Sequence, residues 1–371
     1  MRTGTGFGTF DFDDDFPQMP ASLVRLERVL DAPEQLEPEI DAVVSECPDL
    51  ESQLLDAVAA TRYGRSGRTD SIAQAARVLG ARVVRNLLLA MFIGQVRQQL
   101  TEGTPLEGCE PWRYSLAVAE ASRIVAASTD YVDGEDAFFA GLLHDIGKSI
   151  LARRDPPLYA DVLSRAALGE HALAQLERRA FGTDHRALGA RLCRHWKLPD
   201  VVVSAAVDRM DGIDRDSRQP LARVVYLAEA ATRFAGIGES GDPSVDPDRI
   251  VRELSPGLSL GNLVDLVHCL PNHMNRVERM MKLSPRSCPP SAPGYTACVD
   301  LADPGERAIV ELAIAGLGWL SSGTGDVVIG DTPGAAVRFE DWRSGVRPSG
   351  MSACHVAAFR NWMAEELAGV T

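Results

Sequence analysis

The stretch Ala140-Gly-Leu-Leu-His-Asp-Ile-Gly-Lys148 places an imidazole beside a carboxylate in an otherwise apolar segment, for which we predict one helix over 135–151. Burying His144 and Asp145 together costs several kcal/mol unless both groups are paired or bound to a metal ion. Adjacent side chains on a helix point ~100° apart, so the two converge on one ion only where neighbouring helices complete its shell. The stretch therefore predicts a polar site inside a helical bundle.

Helical periodicity continues on both sides of this stretch. Apolar residues recur three and four positions apart from Pro17 to about residue 283, and no alternating run of useful length interrupts them. We therefore predict an all-α fold. The predicted parts are a flexible acidic tail over 1–16, an N-terminal helical lobe over 17–103, a second helical lobe over 104–283, a linker over 284–294 and a small α+β extension over 295–371.

The extension carries weaker patterns than the helical lobes. They predict a helix over 304–320, a hairpin formed by 326–329 and 336–340, and a final helix that begins at Ser352. We find no chemical motif in this part of the chain.

Composition limits the classes of function that the chain can have. Of its 371 residues, 45% are hydrophobic and 24% are charged, which is ordinary for a globular protein. The net charge of −14 argues against DNA and anionic membranes as partners. The longest apolar run, Leu87–Ile93, is far shorter than the ~20 residues that span a bilayer. The acidic start lacks the apolar region of a secretory signal, and the seven cysteines are scattered, so we expect a cytoplasmic protein.

Further motifs accompany the His-Asp stretch. In chain order they are Phe16-Pro-Gln-Met-Pro20, Cys47-Pro-Asp-Leu50, Tyr63-Gly64, Ser71-Ile72, Trp112-Arg-Tyr-Ser115, Phe181-Gly-Thr-Asp-His185, Trp196-Lys-Leu-Pro199 and Tyr226-Leu-Ala-Glu229. Over about residues 17–235 this set resembles the HDOD family, the HD-related output domains that are relatives of HD phosphohydrolases. The resemblance implies a two-lobed helical fold, in which an N-terminal bundle precedes a degenerate HD-type bundle.

The departures from the HD pattern concern its metal ligands. HD phosphohydrolases hold a divalent ion with an early His, the His-Asp pair and a late Asp, and that ion generates hydroxide at neutral pH. Here Tyr114 stands at the early His position, Glu229 replaces the late Asp, and residues 206–210 lack the His pair that relatives often carry. A neutral phenol with a pKa near ~10 is a poor ligand for such an ion. We therefore expect a degenerate site without a bound metal.

Two interpretations of the remaining polar residues stay open. If a metal is bound, its ligands would be His144, Asp145 and His185, with Glu229 completing the shell. In the alternative that we favour, Asp145 pairs with Lys148 or a backbone amide, and the histidines lie in a hydrogen-bonded polar core. Lys148 itself either contacts a substrate phosphate, as in HD hydrolases, or neutralises Asp145 three residues earlier.

A separate basic run, Arg62-Tyr-Gly-Arg-Ser-Gly-Arg68, lies in this otherwise acidic chain. Because glycines space the arginines, Arg62, Arg65 and Arg68 form a candidate anion-binding loop for a phosphate, a nucleotide or an acidic partner. The alternative is an ordinary solvated loop.

HDOD proteins are generally regarded as non-catalytic signalling or regulatory modules of bacteria, and the incomplete ligand set agrees with that view. We expect a regulatory protein that acts through protein–protein contacts, needs no cofactor and is compatible with an oligomeric state. Its partners would be signalling proteins, with a cyclic dinucleotide as a candidate ligand. One alternative is a metal-dependent phosphohydrolase of nucleotides or cyclic dinucleotides with a reduced ligand set. Another is a nucleotide-binding sensor without turnover.

Overall fold

The main body of the chain is helical, as predicted. The computed structural model describes residues 18–28, 80–207, 220–281 and 296–317 apart from a few positions, with short pieces between 38 and 55 and between 320 and 365. The helices are α1 (Ala21–Arg28), α2 (Ala81–Thr101), α3 (Glu110–Ala126), α4 (Gly134–Leu143), α5 (Ile146–Arg154), α6 (Pro156–Ala167), α7 (Leu173–Phe181), α8 (His185–His195), α9 (Asp200–Val207), α10 (Pro220–Ala235), α11 (Pro247–Glu253), α12 (Leu260–Met280) and α13 (Pro304–Gly316).

Helix α3 lies at the centre of the bundle and packs against α4, α10 and α12. Small residues allow the first of these contacts, because a Cβ added at Gly141 of α4 would lie 2.9 Å from the Cα of Ala119 on α3. An arginine clamp joins α3 to α12, since Arg113 donates to Glu278 over 2.6 Å with both side chains buried. Among the described residues, no helix combines the length and the apolar character needed to cross a membrane.

The predicted continuous helix over 135–151 is wrong at its centre. Helix α4 ends at Leu143 and α5 begins at Ile146, with His144 and Asp145 between them. Asp145 has φ −117° and ψ 10°, outside helical values. Nε2 of His144 lies 3.2 Å from Asp145 Oδ2 across this break, so both polar side chains reach the same region of the bundle. No proline marks this break, which is why periodicity alone predicted one helix.

Gly147, just after the break, allows helix α8 to lie directly on α5. A Cβ at Gly147 would lie 1.8 Å from the backbone oxygen of His185 and 2.8 Å from the backbone nitrogen of Gly189. Only glycine permits that approach of two backbones. The contact brings the first residue of α8, His185, next to Asp145.

The C-terminal extension combines helix α13 with short strands. The strands of the extension are β2 (Thr296–Asp300), β3 (Leu320–Ser321), β4 (Val327–Gly330), β5 (Val337–Arg338) and β6 (Cys354–His355), and a further strand, β1 (Ser244–Val245), precedes α11 in the helical part of the chain. Four of them form a sheet in the order β3-β2-β4-β5, with every pair parallel, and β6 pairs antiparallel with β1.

Three details of the predicted extension are therefore wrong. Helix α13 ends at Gly316 rather than at residue 320. The expected hairpin does not form, because β4 and β5 run parallel, like β4 and the central strand β2. The final helix does not begin at Ser352, because Cys354 and His355 form ladder hydrogen bonds with β1. Strand pairing with distant residues overrides the local pattern in both places. The predicted tail over 1–16 and linker over 284–294 lie outside the described residues, and the division into lobes stays a prediction.

Candidate functional site

A cluster of buried polar side chains lies where helices α3, α4, α5, α8 and α10 meet. Each residue of this polar cluster is at most 2% exposed; its members are Tyr114, His144, Asp145, Lys148, His185 and Glu229. The structure therefore brings together all the residues that the sequence singled out for the HD-type site. The predicted anion-binding residues Arg62, Arg65 and Arg68 lie outside the described residues.

Asp145 lies at the centre of the polar cluster. Lys148 donates from Nζ to its Oδ2 over 2.6 Å, and Nε2 of His144 lies 3.2 Å from the same oxygen. Nε2 of His185 lies 3.6 Å from Oδ1. Burial favours the protonated acid, but the charges of His144 and Lys148 outweigh it and hold the pKa of Asp145 well below its usual value. Asp145 is therefore a carboxylate that is neutralised from within the fold.

Glu229 has an internal cation of its own, which the sequence analysis missed. Nη2 of Arg233 donates to Glu229 Oε1 over 2.6 Å, one turn further along α10. Nε of Arg233 donates to the Tyr114 hydroxyl over 3.1 Å, and that hydroxyl lies 3.5 Å from Glu229 Oε1. Burial disfavours the charge on Arg233, but Glu229 more than compensates, and the pKa of Arg233 lies well above its usual value. The Tyr114 phenol, at the early His position, thus contacts the ion pair of Arg233 and Glu229.

Glu177 and Tyr159 orient the ring of His185. Glu177 of α7 accepts from the backbone N–H of His185 over 2.9 Å and contacts its Nδ1 at 2.5 Å. The Tyr159 hydroxyl donates to the other oxygen of Glu177 over 2.9 Å. Because a carboxylate only accepts, Nδ1 carries the proton and Nε2 faces Asp145. Sequence spacing gives no sign of this contact, since the two residues lie on different helices.

The turn between α7 and α8 makes this geometry possible. Gly182 ends α7 with φ 74°, a left-handed conformation that favours glycine. Asp184 then begins α8, because its side chain accepts from the backbone N–H of Ala187 over 3.0 Å. The motif Phe181-Gly-Thr-Asp-His185 therefore reverses the chain so that His185 returns to Glu177.

A metal-binding geometry is present in part. Among the described residues, one donor atom each from His144, Asp145 and Glu229 lies within 4.8 Å of the other two. His185 does not belong to this group. His144 Nδ1 lies 2.6 Å from the oxygen of Gly141, which only accepts, so Nδ1 is protonated and Nε2 faces the carboxylates. Of the four possible ligands named in the sequence analysis, the group thus contains His144, Asp145 and Glu229 but not His185.

The charges around these three donors do not fit a resident divalent ion. Asp145 already contacts Lys148, and Glu229 already contacts Arg233. A dication about 4 Å from one unit positive charge is repelled by about 8 kcal/mol at an effective dielectric constant of about 20. Both carboxylates of the group are thus already in contact with a cation, and Nη2 of Arg233 also lies 3.6 Å from Asp242 Oδ2.

Comparisons with known proteins agree with this fold. A family model described as the HDOD domain matches residues 16–209. The chain belongs to the HDOD family. An uncharacterised protein of Treponema pallidum (strain Nichols) is 26% identical over 195 residues, which are 52% of this chain and 37% of that protein. The match thus spans little more than a third of that curated relative's length.

Solved structures show a similar fold. An HDOD domain protein of unknown function from Geobacter sulfurreducens has a TM-score of 0.58 at 20% identity, over 72% of this chain and 94% of that one. A provisionally assigned signal transduction protein from Marinobacter aquaeolei VT8 has a TM-score of 0.60 at 21% identity, over 75% of this chain and 62% of that one. A provisionally assigned phosphohydrolase from Shewanella amazonensis SB2B has a TM-score of 0.54 at 19% identity, over 73% and 96%. At these identities the likeness concerns the fold alone.

Proposed function

We propose that this HDOD protein is a non-catalytic regulatory module of bacterial signal transduction that works through contacts with other proteins. The observation that carries the proposal is the pairing of both carboxylates in the metal-like group with internal cations, Asp145 with Lys148 and Glu229 with Arg233. An HD hydrolase needs those carboxylates for a divalent ion that activates water. In this chain the polar cluster stabilises the helical bundle instead.

The burial of the polar cluster supports the same function. A phosphoester must bring its phosphorus atom next to a bound hydroxide, so a hydrolytic site needs an open path to solvent. His144 and Asp145 are each 1% exposed, and Lys148 is 2% exposed. A substrate phosphate would therefore have to open the bundle before it could reach Lys148.

The proposed setting follows from the family and the composition. HDOD members are regarded as signalling modules, and this chain has the HDOD fold. Its carboxylates at the HD-type metal positions, Asp145 and Glu229, are paired with Lys148 and Arg233. We place it in the cytoplasm because its seven scattered cysteines contain no CxxC pair. Its proposed partners are signalling proteins.

A phosphohydrolase with a reduced ligand set is the second candidate. Two observations favour it: the close approach of donor atoms from His144, Asp145 and Glu229, and the orientation of His185 by Glu177. Carboxylates that orient histidines in this way are common around metal sites. On this alternative Lys148 would hold the substrate phosphate.

Metal content and hydrolysis separate the two candidates. The full-length protein, exposed to Mn²⁺, Fe²⁺ and Zn²⁺ and then desalted, is analysed for bound metal and for hydrolysis of bis(p-nitrophenyl) phosphate. The proposal predicts metal far below one equivalent per chain and no turnover that a chelator abolishes. One equivalent that is lost in His144→Ala, with chelator-sensitive turnover, would establish the hydrolase. In that case Lys148→Gln would raise KM, since Lys148 would contact the phosphate.

A further inference from the structure

A large cavity lies at the junction of α2 and α3, apart from the polar cluster. It has a volume of about 890 Å³ and is bordered by the second half of α2, the segment that follows it, the start of α3 and Met281. Cavities of roughly 300–1,000 Å³ are the size that small organic ligands occupy. The side chains that matter below are those of Met91, Gln95, Arg97, Gln98, Leu106 and Trp112.

Arg97, which lines this cavity, is a buried cation for which the described residues supply no counter-ion. It is 4% exposed and donates from Nη1 to the Ser115 hydroxyl over 2.7 Å. Within the described part of the chain, no carboxylate forms an ion pair with it. By contrast, the buried Arg113 and Arg233 contact Glu278 and Glu229, each over 2.6 Å.

The electrostatics of Arg97 agree with its lack of a carboxylate. Burial lowers the pKa of its guanidinium to about 10, and attraction from the more distant Asp145 offsets only part of that effect. A buried charge without a partner costs several kcal/mol. An anion that enters the cavity would supply the missing partner through charge-assisted hydrogen bonds.

The rest of the cavity wall is suited to a flat ring. A Cβ added at Gly94 would lie 3.0 Å from Cζ2 of Trp112, so the indole packs directly on the glycine backbone of α2 while it lines the cavity. Met91 and Leu106 add apolar surface, and aromatic rings stack favourably on indoles. The amides of Gln95 and Gln98 offer donors and acceptors to polar atoms on a ring edge.

We propose that this cavity binds a small organic monoanion with a planar ring, its anionic group at Arg97 and its ring against Trp112. One guanidinium matches one negative charge. Glu102 and Glu107 on the same rim disfavour ligands of higher charge, cyclic dinucleotides included. Two kinds of molecule share this chemistry, an aromatic carboxylate and a 3′,5′-cyclic mononucleotide.

Calorimetric titration of the full chain tests the proposal with indole-3-carboxylate and with adenosine 3′,5′-cyclic phosphate as probes. We expect saturable binding of at least one probe, and the probe that binds identifies the source. Arg97→Met should weaken that binding roughly 10- to 100-fold, because it removes hydrogen bonds to a charged group. The exposed Arg194, at the end of α8, provides the control Arg194→Met, which should bind as the wild type does.

Two further variants keep the test independent of the folding of Arg97→Met. Gly94→Ala should weaken binding several-fold, since the new Cβ displaces the indole while Arg97 is untouched. Glu102→Gln should strengthen it, because a rim carboxylate that repels the anion is gone. The proposal fails if neither probe binds at millimolar concentration. It also fails if a folded Arg97→Met leaves the affinity unchanged. It fails likewise if the two single variants Gly94→Ala and Glu102→Gln both leave the affinity unchanged.

Discussion

Replacement of Asp145 by alanine should strongly destabilise the bundle. Asp145 is 1% exposed, its carboxylate accepts from Lys148 Nζ over 2.6 Å, and Lys148 is itself 2% exposed. Asp145→Ala leaves that ammonium buried without this carboxylate. Removal of one partner from a buried ion pair costs about 3–5 kcal/mol. We expect the free energy of unfolding to fall by that amount at neutral pH.

A double-mutant cycle followed by urea denaturation and far-ultraviolet circular dichroism measures this effect. Asp145→Ala is compared with Lys148→Met, in which methionine keeps an unbranched side chain without the charge, and with the double variant. The double variant should recover most of the stability that Asp145→Ala loses. A single variant within about 0.5 kcal/mol of the wild type would refute the buried pair. A double variant as unstable as Asp145→Ala would mean that the cost comes from lost shape rather than from the orphaned charge.

Three other predictions concern the same bundle. Gly147→Ala should prevent stable folding, because its Cβ would overlap the His185 backbone oxygen. The control Gly189→Ala, with its nearest contact at 3.4 Å, should be tolerated, and thermal melting compares the two variants. The folded-state pKa of Asp145 is lowered, so its stabilisation is present above the unfolded pKa of about 4 and is lost on further acidification. The stability difference between wild type and Asp145→Ala should therefore shrink below about pH 4 in urea titrations, and a constant difference would contradict the ion pair. Cys193 is buried and its thiol pKa is raised to about 12, so mass spectrometry should find it unmodified by maleimide until the protein unfolds; rapid native labelling would contradict its burial.

The local parts of the polar cluster could be predicted from the sequence. The cost of burying His144 beside Asp145 indicated a compensated polar site. Lys148 lies three residues after Asp145, a spacing that lets the two side chains meet, and in the structure they are in contact. Arg233 lies four residues after Glu229, so the same spacing rule would have found the second cation. It was missed because Glu229 was considered only as a metal ligand.

Contacts between distant elements could not be predicted in this way. Glu177 reaches His185 only because Gly182 and Asp184 reverse the chain between α7 and α8. No proline marks the break between α4 and α5, and the close packing of α8 on Gly147 just after the break involves residues distant in sequence. Strand direction in the extension depends in the same way on β2, which separates β3 from β4.

The central claim is that internal cations take the place of a metal ion in the polar cluster. The most direct test is to titrate Mn²⁺ into the wild type and into the double variant Lys148→Gln/Arg233→Gln. If the two basic side chains balance Asp145 and Glu229, the wild type shows no saturable binding. The folded double variant then gains a site, and His144→Ala added to it removes that site. Tight binding by the wild type that the double variant weakens would contradict the account, because Lys148 and Arg233 would then support the metal rather than replace it.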